Sequence, residues 1–546
     1  TMLPHQGRLL VKYVGLGLLC LVVLTISAYP LMQLLKRSIW FNGNISFIFY
    51  SQVLTNPNYW RAFLNSLVVS GISTFAAAVL GSGLALIITR TNVWGRTVLR
   101  KLLILPYFIP PFISAFAWRG LLGPAGYLNQ LYMHLFGASA PLFNIYGPVG
   151  IIFVLTIRHY PLFLLILTRA LEQMNPELEE AAEVCGASTR RVLSNITLRV
   201  TAPAFLGAAT LVFAGCMSNF GVPAVLGLPK GYYVMTTVIY STVLNYFMRN
   251  NLAFASVLSI WLCIAALGVL GVQHWVTSRG KYVLVTGKAR PSKLIPLGHW
   301  RIPVTMLCYS VVAVAVVAPF VSLVLLALTR AYGLPPTWNN LTLQHFLHLL
   351  DDALILTGLK NSTILAVAAA TGAVVLGFII AYLKIRMRYP IATVLEYLSS
   401  APYVIPGTVI GVSMILSWIN PIPILGISIY NTLWILWVAY LARYLALSVM
   451  NLESALQQYH NELEEAACVS GAHRLRIIRD VVLPLTRGNV LSSWLLVFTP
   501  ALTELTVSIL LYGPRKETIG VVAFLLIQEG RICTAASLRI ICLLYT

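Results

Sequence analysis

Acidic residues are scarce in this chain, and their placement is informative. Asp and Glu total 16 in 546 residues, and ten of them fall in two stretches, 172–183 and 453–480. The first stretch contains Glu180-Ala181-Ala182, three residues, then Gly186; the second contains Glu465-Ala466-Ala467, three residues, then Gly471. Basic residues follow each: Arg190, Arg191 and Arg199, then Arg474, Arg476 and Arg479. Alanine favours helix and is small enough to let another surface approach. Glycine accepts the positive φ of a tight turn. Each stretch therefore reads as a short helix, a turn and a second helix. One copy alone would pass as an ordinary charged loop. Two copies at matching places would offer two equivalent knobs to a partner with two-fold symmetry.

A second candidate is Glu504, alone in the otherwise apolar run from Trp494 to Leu511. It stands as far after Gly471 as Asn219 stands after Gly186, so the two are matching positions. A carboxylate inside a membrane is costly and is a functional candidate by default. Asn219 and Glu504 are therefore expected to border a transport path, the bland alternative being a structural hydrogen bond. Arg158 and Arg443 match in the same way, and are expected to brace the bundle with long, partly apolar side chains.

Other chemistry is not legible. There is no GxxxxGK[ST] phosphate loop, since Gly287-Lys288 follows Val-Thr rather than a glycine-rich loop. The nine histidines are dispersed without HExxH spacing, and the eight cysteines are scattered without a CxxC pair. No residue is assigned as a metal ligand, and a membrane enzyme finds no support.

The elements that must position these residues are membrane helices. Hydrophobic residues make up 58% of the chain and charged residues 10%. Soluble proteins carry about 25% charged residues, and a bilayer helix needs about 20 apolar ones. Apolar runs fall near 14–35, 62–89, 98–122, 147–170, 203–225, 251–275, 302–328, 358–383, 392–419, 429–450 and 489–511, with a last one at 535–546. The expectation is an all-α polytopic protein of about 12 spans. The last run has 12 residues, about 18 Å of helix, too short to cross alone. The net charge of +21 is not a nucleic-acid signal. Its Lys and Arg cluster between apolar runs, as at Arg90/Arg96/Arg100/Lys101 and Lys384/Arg386/Arg388, and their bias places the N-terminus on the cytoplasmic side.

The chain repeats itself. Asn65-Ser66 recurs as Asn361-Ser362, and Pro106-Tyr107-Phe108-Ile109-Pro110 recurs at the same offset as Pro402-Tyr403-Val404-Ile405-Pro406. Glu179-Glu180-Ala181-Ala182 recurs as Glu464-Glu465-Ala466-Ala467 at a somewhat shorter offset. The difference falls between the third and fourth spans, where the loop of the first half is the longer. Six spans per half give two halves of the same orientation, a parallel repeat. The expected organisation is a first half, 1–275, a cytoplasmic linker, 276–301, and a second half, 302–546.

The doubled Glu-Ala-Ala-x3-Gly resembles the signature of inner-membrane permeases of binding-protein-dependent ABC importers, over nearly the whole chain. The resemblance implies that Glu180, Ala181, Ala182 and Gly186, and Glu465, Ala466, Ala467 and Gly471, form coupling loops that dock on ATPase subunits. It implies two ATPase copies that carry ATP and Mg, a periplasmic binding protein, no cofactor on this chain, and a bacterial inner membrane. The family's Leu-Pro after the loop is kept as Leu483-Pro484 but is Leu198-Arg199 in the first half, so the two contacts need not be equivalent. The run Asn219 to Gly227, and Glu504 through Thr518, look like the ferric-iron subgroup. Thiamine, polyamine and phosphonate permeases are similar in places, and an ATP-independent secondary transporter is the rival of another class.

Overall fold

The long apolar runs become helices because lipid offers backbone groups no partners outside the segment. The computed structural model of the chain describes residues 5–279, 294–421 and 426–545. Most of the linker expected at 276–301 lies outside them. Among the described residues the only sheet is one pair of two-residue strands, Trp40–Phe41 with Asn44–Ile45. Among the same residues nine helices are long and apolar enough to cross a membrane, or eleven with two bent pairs counted as spans. The last described helix is a shorter apolar one, Ile532–Tyr545. The starts are written locally. Asn56 caps Pro57–Arg90 by accepting from Asn58 N, and Asp352 caps Ala353–Ile385 by accepting from Leu354 N.

The runs at 98–122 and 392–419 are not straight spans. The first bends by 99° between Arg96–Tyr107 and Pro111–Phe136, the second by 112° between Pro390–Val404 and Gly407–Trp418. Pro110, before Pro111, and Ile405, before Pro406, adopt ψ of 135° and 137°, because proline forces its predecessor out of the helical region. The runs at 203–225 and 489–511 also break. Their helices are Thr189–Met217 and Arg474–Leu502, followed by short helices Gly221–Leu226 and Ser508–Leu511. Apolar helices Met235–Leu244 and Ile519–Gln528 come next.

The chain packs as two compact units. One comprises Thr1–Thr55, Ile239–Ile260 and Leu350–Leu525; the other comprises Asn56–Val238, Trp261–Leu349 and Leu526–Thr546. These units cut across the division of the sequence at 276–301, because each takes in the first span of the other half. In one unit Tyr29–Ile39 packs on Gly407–Trp418, with the Tyr29 and Trp418 rings 5.7 Å apart. In the other, Ala318–Leu328 packs on Pro111–Leu122, and Ser322 Oγ donates to Ala117 O at 2.7 Å.

Within each unit the second and fourth spans of the repeat lie side by side: Pro57–Arg90 on Pro148–Gln173, and Ala353–Ile385 on Leu433–Gln457. Matching glycines permit the approach. A Cβ on Gly81 would stand 2.6 Å from Phe163 Cβ, and one on Gly377 would stand 2.9 Å from Ser448 Cβ. Small residues are the usual device for bringing membrane helices together. Gly81→Val and Gly377→Val should each destabilise by about 1–3 kcal/mol through overpacking. Thermal unfolding of the detergent-solubilised protein would read this as a lowered midpoint. Gly71→Ala, where nothing lies within 4 Å of the new Cβ, is the control that should leave it unchanged or raised.

The matching Asn-Ser pairs have matching jobs. Asn65 Nδ2 donates to Tyr233 O and Ser66 Oγ accepts from Met235 N; Asn361 Nδ2 donates to Glu517 O and Ser362 Oγ accepts from Ile519 N. Each pair ties the second span of its half to the start of the short apolar helix that follows the break.

Candidate functional site

The two acidic stretches fold alike. Glu177–Val184 and Glu462–Val469 are short helices with no buried residue. Three glutamates occupy the first turn of each, Glu177, Glu179 and Glu180, then Glu462, Glu464 and Glu465, where negative charge complements the helix dipole. Both helices end in the same hydrogen-bond pattern: Ala187 N donates to Ala182 O at 2.9 Å, and Ala472 N to Ala467 O at 3.0 Å. That closure needs a left-handed residue between, and Gly186 and Gly471 supply it at φ +83° each. Thr189–Val192 and Arg474–Ile477 then open the helices that lead back.

Glu180, Ala181, Glu465 and Ala466 are exposed, and Ala182 and Ala467 half-buried. Two residues that sequence reasoning passed over stand out beside them. Val184 and Val469, matching positions, are 89% and 90% exposed. Their signal was available, an apolar residue kept at the same place in an otherwise polar repeated loop. Each helix thus offers an exposed apolar tip with carboxylates behind it.

The glutamate before each exposed Glu180 or Glu465 turns the other way. Glu179 pairs with Arg90 at 2.9 Å and accepts from Thr197 Oγ1 at 2.6 Å. Glu464 pairs with Arg386 at 2.8 Å and accepts from Tyr382 OH at 2.8 Å. Arg386 also donates to the Asn461 side chain and to Tyr459 O. In the sequence Arg90 and Arg386 read only as topology signals.

Asn219 and Glu504 fall where the fifth helix of each half breaks. Both are buried, at 9% and 7% exposure. Asn219 Oδ1 accepts from Val222 N at 3.0 Å and Glu504 Oε1 accepts from Val507 N at 3.0 Å, so each side chain caps the turn that leads into the short helix. Glu504 also accepts from Tyr444 OH and lies 3.8 Å from Arg443 Nε. Its carboxylate is thus compensated within its own unit. In the other unit Arg158 sits over the Tyr107 ring at 4.5 Å, and no carboxylate is recorded against it among the described residues. His159, the match of Tyr444, packs near Cys216 with its Nδ1 2.9 Å from Leu155 O. Among the described residues there is no group of three His, Cys, Asp or Glu placed to hold a metal ion.

The family model described as "Binding-protein-dependent transport system inner membrane component" matches residues 77–279 and 373–542, once per half. A Haemophilus influenzae permease provisionally named for ferric transport is 27% identical over 516 residues, 93% of this chain and 79% of that protein. The ferric transport system permease of Actinobacillus pleuropneumoniae is 28% identical over 482 residues, 87% of this chain and 66% of that protein. The crystal structure of a bacterial alginate ABC transporter with a periplasmic protein is 22% identical over 52% of this chain and 97% of that one, with a TM-score of 0.43. With two matched segments that together span most of its length, this chain belongs to the family of inner-membrane components of binding-protein-dependent transport systems, as a fused, two-half permease.

Proposed function

We propose that this chain is the permease through which a bacterial ABC importer moves ferric iron, delivered by a periplasmic binding protein, into the cytoplasm. The observation that carries the coupling reading is the short helix built twice, with the same exposed glutamate, first alanine and valine and the same glycine at φ +83°. The ferric assignment rests on the names of relatives that align with most of the chain.

In this reading the N-terminus is cytoplasmic, and the repeat halves 1–275 and 302–546 are joined by a cytoplasmic linker at 276–301. Two ATPase subunits, which hold ATP and Mg, receive Glu180, Ala181, Ala182 and Gly186 on one side and Glu465, Ala466, Ala467 and Gly471 on the other. ATP binding draws the docking helices together and opens the path outward; hydrolysis resets it. The chain itself hydrolyses nothing and needs no cofactor. Asn219 and Glu504 border the path where the fifth helices break. Ferric iron is a hard cation that prefers oxygen donors, and the carboxylate of Glu504 beside Tyr444 is of that type.

The test is ATPase activity of the complex in liposomes, with the binding protein loaded with ferric iron or empty. Stimulation of several-fold by the loaded form alone is expected. Stimulation by a phosphonate, thiamine or a polyamine instead would replace the cargo and keep the permease. The phosphonate arm is included because a 2-aminoethylphosphonate permease of Salmonella typhimurium, named provisionally, is 24% identical over 261 residues, 47% of this chain.

A further inference from the structure

We propose that the ion pairs Arg90–Glu179 and Arg386–Glu464 are latches that make each docking helix move as one body with the second span of its half. The inference rests on the docking role assigned above and adds the route by which docking reaches the membrane.

Successive residues on a helix point about 100° apart. When Glu180 or Glu465 faces outward, the residue before it turns toward the bundle. Glu179 and Glu464 do so, and each meets an arginine at the end of the long helix Pro57–Arg90 or Ala353–Ile385. These arginine side chains are 6% and 9% exposed, and the glutamates 18% and 16%. An ion pair so shielded from water is screened little by salt, and removing one partner strands the other charge.

The docking helices need such a tie. Neither has a buried residue, so apolar packing holds them only weakly, as where half-buried Ala467 meets the cluster around Tyr382 and Leu456. The pairs also recur in the repeat: the arginines share the offset of the Asn-Ser pairs, and the glutamates lie within the repeated Glu-Glu-Ala-Ala. The neighbours that assist them do not recur. Thr197 supports Glu179, whereas the matching position is Val482; Tyr382 supports Glu464, whereas the matching position is Leu86. What the two halves share is the ion pair itself.

Beyond the latch, the motion has a path. The second span of each half packs closely along the fourth through Gly81 or Gly377. Near its other end it is bonded through Asn65-Ser66 or Asn361-Ser362 to the short apolar helix after the break. A pull on the docking helix is therefore delivered to the part of the unit that holds Asn219 or Glu504. Arg90 and Arg386 are positioning residues in this scheme; they act through the docking helix.

The experiment uses the full complex in liposomes, with Arg90→Gln and Arg386→Gln combined, and separately both arginines changed to Lys. Three quantities are read: ATPase subunits retained per permease, ATP hydrolysed, and cargo imported per ATP. The Gln variant should retain its ATPase subunits and hydrolyse ATP, while cargo per ATP falls at least ten-fold. The Lys variant, which keeps a cation, should recover at least half of the wild-type ratio. A wild-type ratio in the Gln variant would overturn the latch. So would loss of the ATPase subunits, which would make the pairs docking or folding elements, or an equal loss in Lys and Gln variants. If the Gln permease itself does not accumulate in the membrane, Glu179→Gln with Glu464→Gln preserves shape and side-chain hydrogen bonding, and the same ten-fold fall is expected with the ATPase subunits retained. Failure of the docking reading is separable, because it shows in the wild type as ATPase subunits that do not copurify.

Discussion

Replacing Gly186 and Gly471 together by valine is expected to strip the ATPase subunits from the complex, or to leave them bound but unresponsive to the binding protein. Both glycines sit at φ +83°, where a β-branched residue costs about 1–3 kcal/mol of backbone strain. Nothing lies within 4 Å of a Cβ built at either position, so crowding contributes nothing and the effect comes from the backbone alone. The strain is relieved if the turn opens, which swings the exposed face of Glu180, Ala181 and Val184, and its counterpart, out of line. The chain should still insert and fold, because neither docking helix contributes a buried residue. Asparagine tolerates the left-handed region better than other residues with a side chain. Gly186→Asn with Gly471→Asn should therefore retain much of the coupling that valine loses. Copurification and ATPase stimulation measure the outcome. Wild-type values in the double valine variant would end the docking assignment.

Glu504→Gln is expected to slow cargo uptake ten-fold or more while the complex still assembles. The amide oxygen of Gln can still accept from Val507 N and Tyr444 OH, so the cap survives. What is lost is the negative charge 3.8 Å from Arg443. An uncompensated charge left by breaking a buried pair ordinarily costs about 3–5 kcal/mol. The chain contains its own precedent for a milder result. At the matching positions Asn219 and Arg158, the first half already combines an arginine with a neutral amide, and Arg158 is held by the Tyr107 ring. The variant therefore gives the second half the residue types that the first half already folds with. Glu504→Ala removes the cap as well and should lower the thermal midpoint further than Gln. Asn219→Glu is the reciprocal change and should leave assembly intact. Uptake at the wild-type rate by Glu504→Gln would confine Glu504 to its capping and pairing role.

The turn at Gly186 and Gly471 was legible in the sequence, since Glu-Ala-Ala-x3-Gly appears twice and glycine at a helix end has a known geometric use. The role of Glu504 needed the structure. Spacing alone matched it with Asn219, but did not show the bonds to Val507 and Tyr444 or the pairing with Arg443. The same holds for Glu179 and Glu464. In the sequence they are members of a Glu-Glu doublet, and only the ion pairs with Arg90 and Arg386 separate them from the exposed glutamates that follow.

The all-helical class, the repeat, the doubled Glu-Ala-Ala-x3-Gly turns and most of the spans could be read from the residues alone. Those features are local: apolar length, helix propensity, and the special φ of glycine are properties of a segment, whatever surrounds it. The tertiary structure decided which helices become neighbours. Tyr13–Ile39 packs with Gly407–Trp418, and Gly298–Leu328 with Pro111–Leu122, so the compact units cut across the repeat. Lipid is as apolar as a helix face, so hydropathy carries no record of which apolar side meets protein and which meets lipid. Shape decides it, as where Ser322 and Leu326 fit against Gly120. The breaks near Pro110 and Pro406 had a visible cause in proline, but a proline in an apolar run permits a bend without fixing it. Bends of 99° and 112° follow from the neighbours each half-helix packs against.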